Sequence, residues 1–121
     1  MSNKFCVSIT ASKSNGDMAT VGFVVANAAL SSDKETLVFL SADGVWAAVK
    51  GEAEKIDEGA PFAPLKELVD KFLASGGRLL VCSPCLKKRD ISEDMLIEGA
   101  KPAGGATLVE WLSEGSPCVC Y

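Results

Sequence analysis

Two cysteines in a C-x-x-C arrangement carry the clearest chemical signal in this chain. Cys82 ends the apolar run Arg78–Cys82, which predicts a buried strand, and Cys85 follows Ser83-Pro84 at the predicted start of a helix. Three cations follow at positions 87–89. A helix N-terminus and neighbouring cations both lower the pKa of a thiol, so we expect thiolate chemistry at this thiol pair, Cys82 and Cys85.

The thiol pair allows four interpretations that the residues themselves leave open. It is a persulfide carrier, a dithiol/disulfide oxidoreductase, half of a metal site, or two small buried side chains. Thioredoxin-like enzymes carry their C-x-x-C after the first strand, whereas this one follows about two-thirds of the chain. A zinc site needs four ligands, and a buried terminal strand holding Cys118 and Cys120 is a poor place for the other two. We therefore expect no metal.

The remaining three cysteines have strand-like surroundings. Cys6 alternates with apolar residues in the first predicted strand and is expected to fill the core. Cys118 and Cys120 are expected in a last strand, with Cys120 an alternative second redox thiol. Five is an odd count and the core is ample, so reduced thiols are expected rather than a disulfide scaffold.

Composition excludes several classes of protein. The chain has 121 residues, a net charge of -4 and no histidine. Without histidine, one chain cannot build a Ser-His-Asp triad, a Cys-His protease pair or a His-ligated metal site. The acidic balance disfavours nucleic-acid binding, and phosphate-binding glycine motifs are absent, so no nucleotide cofactor is expected. The cations at 87–89 are expected to form a solvated helix face.

The sequence also bears on location. The first residues show no signal peptide, and no apolar stretch reaches the roughly 18 residues that a membrane-spanning helix needs. We expect a cytoplasmic protein without a membrane partner.

Strand-like and helix-like segments alternate along residues 1–121, which predicts a single α/β domain with a mainly parallel sheet and helices on both faces. Predicted strands are 4–10, 36–41, 78–82 and 118–121; predicted helices are 18–30, capped by Asp17, and 45–50, 65–74 and 106–114. Residues 95–98 form a short fourth strand or a helix end, and 101–105 a loop. The helix at 18–30 is apolar nearly all round, so it is expected to pack against the sheet or a partner chain.

Sites in parallel sheets lie at the carboxyl ends of strands. Loops 11–17, 42–45 and 83–85 meet that condition. In the second of these loops, Asp43-Gly44 predicts a turn in which glycine supplies backbone freedom; the alternative is that Asp43 or the loop backbone lines the thiol pocket.

Three segments together resemble the DsrE/DsrF-like (DsrE/TusD-type) family. They are Val38-Phe39-Leu40-Ser41-Ala42-Asp43-Gly44-Val45, Gly76-Gly77-Arg78-Leu79-Leu80-Val81-Cys82 and Lys88-Arg89-Asp90-Ile91. Cys82 stands eight residues before Asp90, as the family's active cysteine stands eight residues before a glycine. Asp90 replaces that glycine here.

The resemblance implies a three-layer α/β/α sandwich with a five-stranded parallel sheet. It also implies a homo-oligomer, trimer or hexamer, that relays sulfane sulfur between a protein donor and a protein acceptor. Cys82 would accept the sulfur as a persulfide, and Cys85 would resolve it or tune Cys82. Thiol exchange of this kind is possible sulfurtransferase chemistry that needs no metal or cofactor. The alternatives are a non-catalytic oligomeric scaffold and a dithiol oxidoreductase.

Overall fold

Five parallel strands form the centre of the computed structural model, which describes residues 3–121. The strands are β1 (Lys4–Ile9), β2 (Glu35–Leu40), β3 (Arg78–Cys82), β4 (Ala100–Ala103) and β5 (Cys118–Cys120), in the order β4-β3-β2-β1-β5. The helices are α1 (Gly16–Ser31), α2 (Leu65–Ala74), α3 (Ser83–Lys88) and α4 (Gly105–Ser113). The expected absence of a signal peptide was drawn from the first residues of the sequence. Two of these, Met1 and Ser2, lie outside the described residues.

Side chains alternate along the strands and build two cores, one on each face of the sheet. On one face, Val7 and Val38 pack with α1 and α2, whose Phe23 and Phe72 rings meet edge to face at 6.0 Å. On the other face, Cys6 packs beneath Trp111 of α4. The predicted three-layer sandwich is confirmed.

The start of α1 differs from the prediction. The cap is Asn15, whose side-chain oxygen accepts a hydrogen bond from the Met18 backbone N–H at 3.1 Å, and Asp17 lies inside the first turn. Asparagine satisfies an early helical N–H as well as aspartate does. Beyond this turn the inner face of α1 is buried as expected, but Met18 and Val24 remain 40% and 37% exposed on its outer face.

The fourth strand does not lie at residues 95–98, where the sequence predicted a short strand or a helix end. Residues 93–95 form a 3₁₀ turn, and Leu96 makes an isolated bridge to Val49. Strand β4 begins at Ala100 and continues to Ala103, into the segment 101–105 that was predicted as a loop. β4 contains Pro102, which lacks a backbone donor. Such a residue is tolerated because β4 is an edge strand and pairs on one side only.

The 3₁₀ turn at Ala42–Ala48 follows β2 and replaces the predicted short helix at 45–50. Within the part of the chain described here, no helix is both long and apolar enough to cross a membrane.

Candidate functional site

The thiol pair lies where β3 passes into α3. Cys82 is the last residue of β3 and caps α3, and Cys85 lies in the first turn of that helix, one residue after Pro84. Both cysteines are free and partly buried. The site therefore occupies the carboxyl edge of the sheet, where ligand sites of such folds lie.

The loop after β2 reaches across to the second of these thiols. The Ala42 backbone N–H donates a hydrogen bond to Cys85 Sγ at 3.2 Å. Ala42 itself adopts a left-handed backbone with φ 50°, which is uncommon for a residue with a side chain. Of the three predicted site loops, those at 42–45 and 83–85 meet in this contact.

Gly44 allows this loop to lie close to the sheet. A Cβ at Gly44 would stand 2.2 Å from the carbonyl oxygen of Ile9, a distance no real contact permits. The left-handed residue of this loop is Ala42, so the expectation that Gly44 supplies backbone freedom is wrong. Close packing of the loop on the end of β1 is what requires glycine.

An ion pair holds the same loop to α3. Arg89 donates from Nε and Nη2 to Asp43 Oδ1 at 3.2 and 3.0 Å, and from Nη1 to the Cys85 carbonyl oxygen at 3.2 Å. We call this arrangement the Asp43–Arg89 clamp. Lys87 and Lys88 are exposed, as expected of a solvated face, whereas Arg89 is largely buried in the clamp.

The sequence predicted a lowered pKa for Cys82, whereas the folded chain raises it. Burial raises the pKa of the Cys82 thiol, and its side-chain hydrogen bond to Cys85 raises it further. The Cys85 backbone amide and the Arg89 charge lower this pKa, but by less. Helix α3 is six residues long, so its dipole is small, and its two lysines lie in its last turn.

Asp90 stands where the family resemblance leads one to expect a glycine. It adopts a left-handed backbone with φ 54°, the region that glycine enters at no steric cost. Aspartate is among the side chains that tolerate this region best. The turn after α3 thus keeps a glycine-like backbone without the glycine.

The other three cysteines gather on the α4 face of the sheet, and we call Cys6, Cys118 and Cys120 the cysteine trio. Cys6 lies opposite Cys118 across the β1–β5 pairing and is fully buried, as expected of a core residue. Burial, followed by the bond to Cys118, strongly raises the pKa of Cys6. Burial and Cys120 raise that of Cys118. Cys118 and Cys120 are exposed residues on the edge strand β5.

Three cavities open at other parts of the surface. One of about 160 Å³ lies between Lys4, Arg78 and Trp111, beside the residues that begin β1 and β3 and so at the opposite edge of the sheet. Cavities of about 190 and 280 Å³ are lined by residues near Gly99 and near Phe5. The thiol pair lines none of these three cavities. Nowhere in residues 3–121 do three or more His, Cys, Asp or Glu side chains come together as a metal site.

Sequence reasoning found the two thiols but missed the contacts around them. The loop carrying Asp43 does line the thiol site, which was the less favoured of two interpretations. The pattern gave no sign of the Ala42 donor. The acidic and basic residues of the clamp stand 46 positions apart, so spacing could not pair them.

The sequence profile of the DsrE/DsrF-like family matches residues 3–119. The chain belongs to this family. It is 33% identical over 105 residues to uncharacterized protein MJ0760 of Methanocaldococcus jannaschii, covering 87% of this chain and 38% of that relative. It is 32% identical over 118 residues to uncharacterized protein MJ0989 of the same organism, covering 98% of this chain and 99% of that relative.

Two solved structures share the fold of this DsrE/DsrF-like chain. The ychN protein from E. coli has a TM-score of 0.69 and 18% identity, covering 98% of this chain and 99% of its own. MTH1491 from Methanobacterium thermoautotrophicum has a TM-score of 0.70 and 19% identity, covering 98% of each chain. At these identities the likeness extends to the three-layer architecture and no further.

Proposed function

We propose that this protein is a cytoplasmic sulfur carrier that relays sulfane sulfur through a persulfide on the thiol pair. The observation that supports the proposal best is the position of two free, partly buried thiols at the carboxyl edge of β3 in a DsrE/DsrF-like fold. One of these sulfurs also accepts a backbone N–H bond, as expected of an atom that must carry negative charge.

The reaction is thiol exchange. A thiolate of the pair attacks the terminal sulfur of a donor persulfide, the donor's S–S bond breaks, and the donor leaves as a thiol. The carrier persulfide then meets an acceptor thiol in a second exchange of the same kind. Neither step needs a metal, a histidine or a nucleotide, which agrees with the residues present.

Protein-bound sulfur is the substrate that this surface favours. The two thiols are partly exposed at the carboxyl edge of the sheet, where a cysteine on another protein can reach them. A donor or acceptor cysteine presented by another protein brings its own surface to the edge of the sheet. The proposed partners are therefore a protein sulfur donor and a protein acceptor.

Self-assembly is part of the proposal. Met18 and Val24 expose apolar surface on the outer face of α1, which a second copy of the chain would cover. Light scattering on the wild-type protein should give the mass of a trimer or hexamer, and Val24→Glu should reduce it. A monomeric wild-type protein would remove assembly from the proposal and leave the chemistry standing.

The experiment is an intact-mass measurement after incubation with inorganic polysulfide. The wild-type protein should gain one sulfur atom that cyanide removes as thiocyanate. The Cys82→Ser/Cys85→Ser variant should gain none at this site, and the matched Cys118→Ser/Cys120→Ser control should load like wild type. Loading that survives in the first variant, or a wild-type protein that never loads, would contradict the relay.

A dithiol oxidoreductase is the second candidate. The support for it is that two free thiols stand three residues apart at the start of α3. Redox titration should then reveal a reversible Cys82–Cys85 disulfide with a defined potential. A protein that loads sulfur but shows no such couple is a carrier and not a reductase.

A further inference from the structure

A backbone hydrogen bond is directed at one sulfur of the thiol pair. Cys85 Sγ accepts the Ala42 backbone N–H at 3.2 Å. A donor directed at a sulfur stabilises a negative charge on that atom.

The surroundings of Cys82 disfavour its thiolate. Burial raises the pKa of the Cys82 thiol, since an apolar surrounding disfavours a charged sulfur, and the neighbouring Cys85 side chain raises it further. The Cys85 backbone amide and the Arg89 charge act in the opposite direction, but by less.

The Asp43–Arg89 clamp keeps the Ala42 backbone N–H in place against Cys85 Sγ. Asp43 adjoins Ala42 in the loop, and Arg89 bonds both Asp43 and the Cys85 carbonyl oxygen, so loop and helix turn are tied together on either side of the sulfur. Ala42 holds an uncommon left-handed backbone there. A conformation of that kind persists where the surroundings impose it.

We propose that Cys85 is the sulfur-accepting nucleophile of the thiol pair and that Cys82 is its resolving thiol. This assignment rests on the proposed sulfur transfer and reverses the roles that the family resemblance implies for the two cysteines.

In the resulting step, Cys85 Sγ attacks the terminal sulfur of a donor R–S–SH. A bond forms between Cys85 Sγ and that sulfur, the donor's S–S bond breaks, and the proton lost from Cys85 ends on the leaving thiol R–SH. The step is Cys85–SH + R–S–SH → Cys85–S–SH + R–SH, so the donor cysteine is reduced as Cys85 is oxidised. Once excess donor has been removed and no acceptor arrives, Cys82 slowly attacks Cys85 Sγ, releasing H₂S and leaving a Cys82–Cys85 disulfide, so the added sulfur is measured directly after loading.

Alkylation tests the assignment independently of sulfur transfer. The full chain with Cys118→Ser and Cys120→Ser is treated briefly with limiting iodoacetamide at pH 7, and fragmentation of the peptide 79–87 locates the label. Cys85 should be labelled ~10-fold faster than Cys82, because the Ala42 N–H favours negative charge on Cys85 Sγ while burial disfavours it on Cys82. Faster labelling of Cys82 would overturn the assignment.

Single variants then link the assignment to the relay. After polysulfide treatment, Cys82→Ala should still gain the sulfur atom, while Cys85→Ala should gain none at the thiol pair. The reverse pattern would overturn the assignment and leave the proposed relay intact. If wild type does not load but Cys85 is still labelled first, the relay fails while Cys85 remains the more reactive thiol.

Discussion

The thiol pair and the cysteine trio place the same functional group in opposite surroundings. Cys85 accepts a backbone N–H beside an arginine clamp at the carboxyl edge of the sheet. Cys6 lies fully buried against aliphatic and aromatic side chains, opposite Cys118 in the β1–β5 pairing. The two groups differ in what each sulfur faces.

This difference shows that C-x-x-C and C-x-C spacings do not by themselves decide reactivity. Within the thiol pair, Cys82 is disfavoured as a thiolate by burial and by its partner, although it ends a strand at the expected edge. Cys118 is an exposed residue, yet burial of its sulfur and the neighbouring Cys120 raise its pKa. Donors and charges around each sulfur decide which one reacts.

The largest effect is expected from a substitution in the loop that donates a hydrogen bond to the thiol pair. Gly44→Ala should lower the free energy of unfolding by about 3 kcal/mol, because its Cβ would overlap the Ile9 carbonyl oxygen and backbone cannot yield cheaply. Urea denaturation measures the change. Gly104→Ala is the matched control, since φ there is -93° and nothing lies within 4 Å of its Cβ. Equal losses in the two variants would show that the loop is not tightly packed.

A smaller expected effect is the pH dependence of folding stability that Cys6 of the cysteine trio contributes. The folded chain keeps the Cys6 proton at pH values where an unfolded thiol, with a pKa of about 8.5, gives it up, so stability falls as pH rises above that value. Cys6 should contribute a slope of up to about 1.4 kcal/mol per pH unit. Unfolding of wild type and Cys6→Ala between pH 7 and pH 10 gives the difference. Parallel curves for the two proteins would mean that Cys6 ionises freely in the fold.

The smallest effect tests the clamp that distinguishes the thiol pair. A double-mutant cycle with Asp43→Asn and Arg89→Met should give a coupling energy of about 1 kcal/mol, since Arg89 donates twice to a partly exposed carboxylate. The exposed helical pair Lys66–Asp70 is the control and should give about 0.3 kcal/mol. A coupling at Asp43–Arg89 no larger than in the control would mean that the clamp does not order the loop.

Strong local patterns made much of the fold predictable. Helix α2 and strand β3 have the predicted bounds, because one-sided apolar spacing and an unbroken apolar run each have one good solution. β4 was missed, because four residues including Pro102 carry little strand preference and pair only through their position beside β3. The cap of α1 was misplaced by two residues, because Asn15 and Asp17 are both suitable caps.

The sequence by itself determined the α/β alternation, the placement of a thiol pair at the end of a strand, and the absence of histidine chemistry. These follow from residue types and from spacing over a few positions. Tertiary structure alone decided that Ala42 donates to Cys85, that Arg89 pairs with Asp43, and that burial raises the pKa of Cys82. Each of these depends on groups far apart in the chain or on burial, and a thiol's ionisation is set by the solvent it loses and the dipoles it gains on folding.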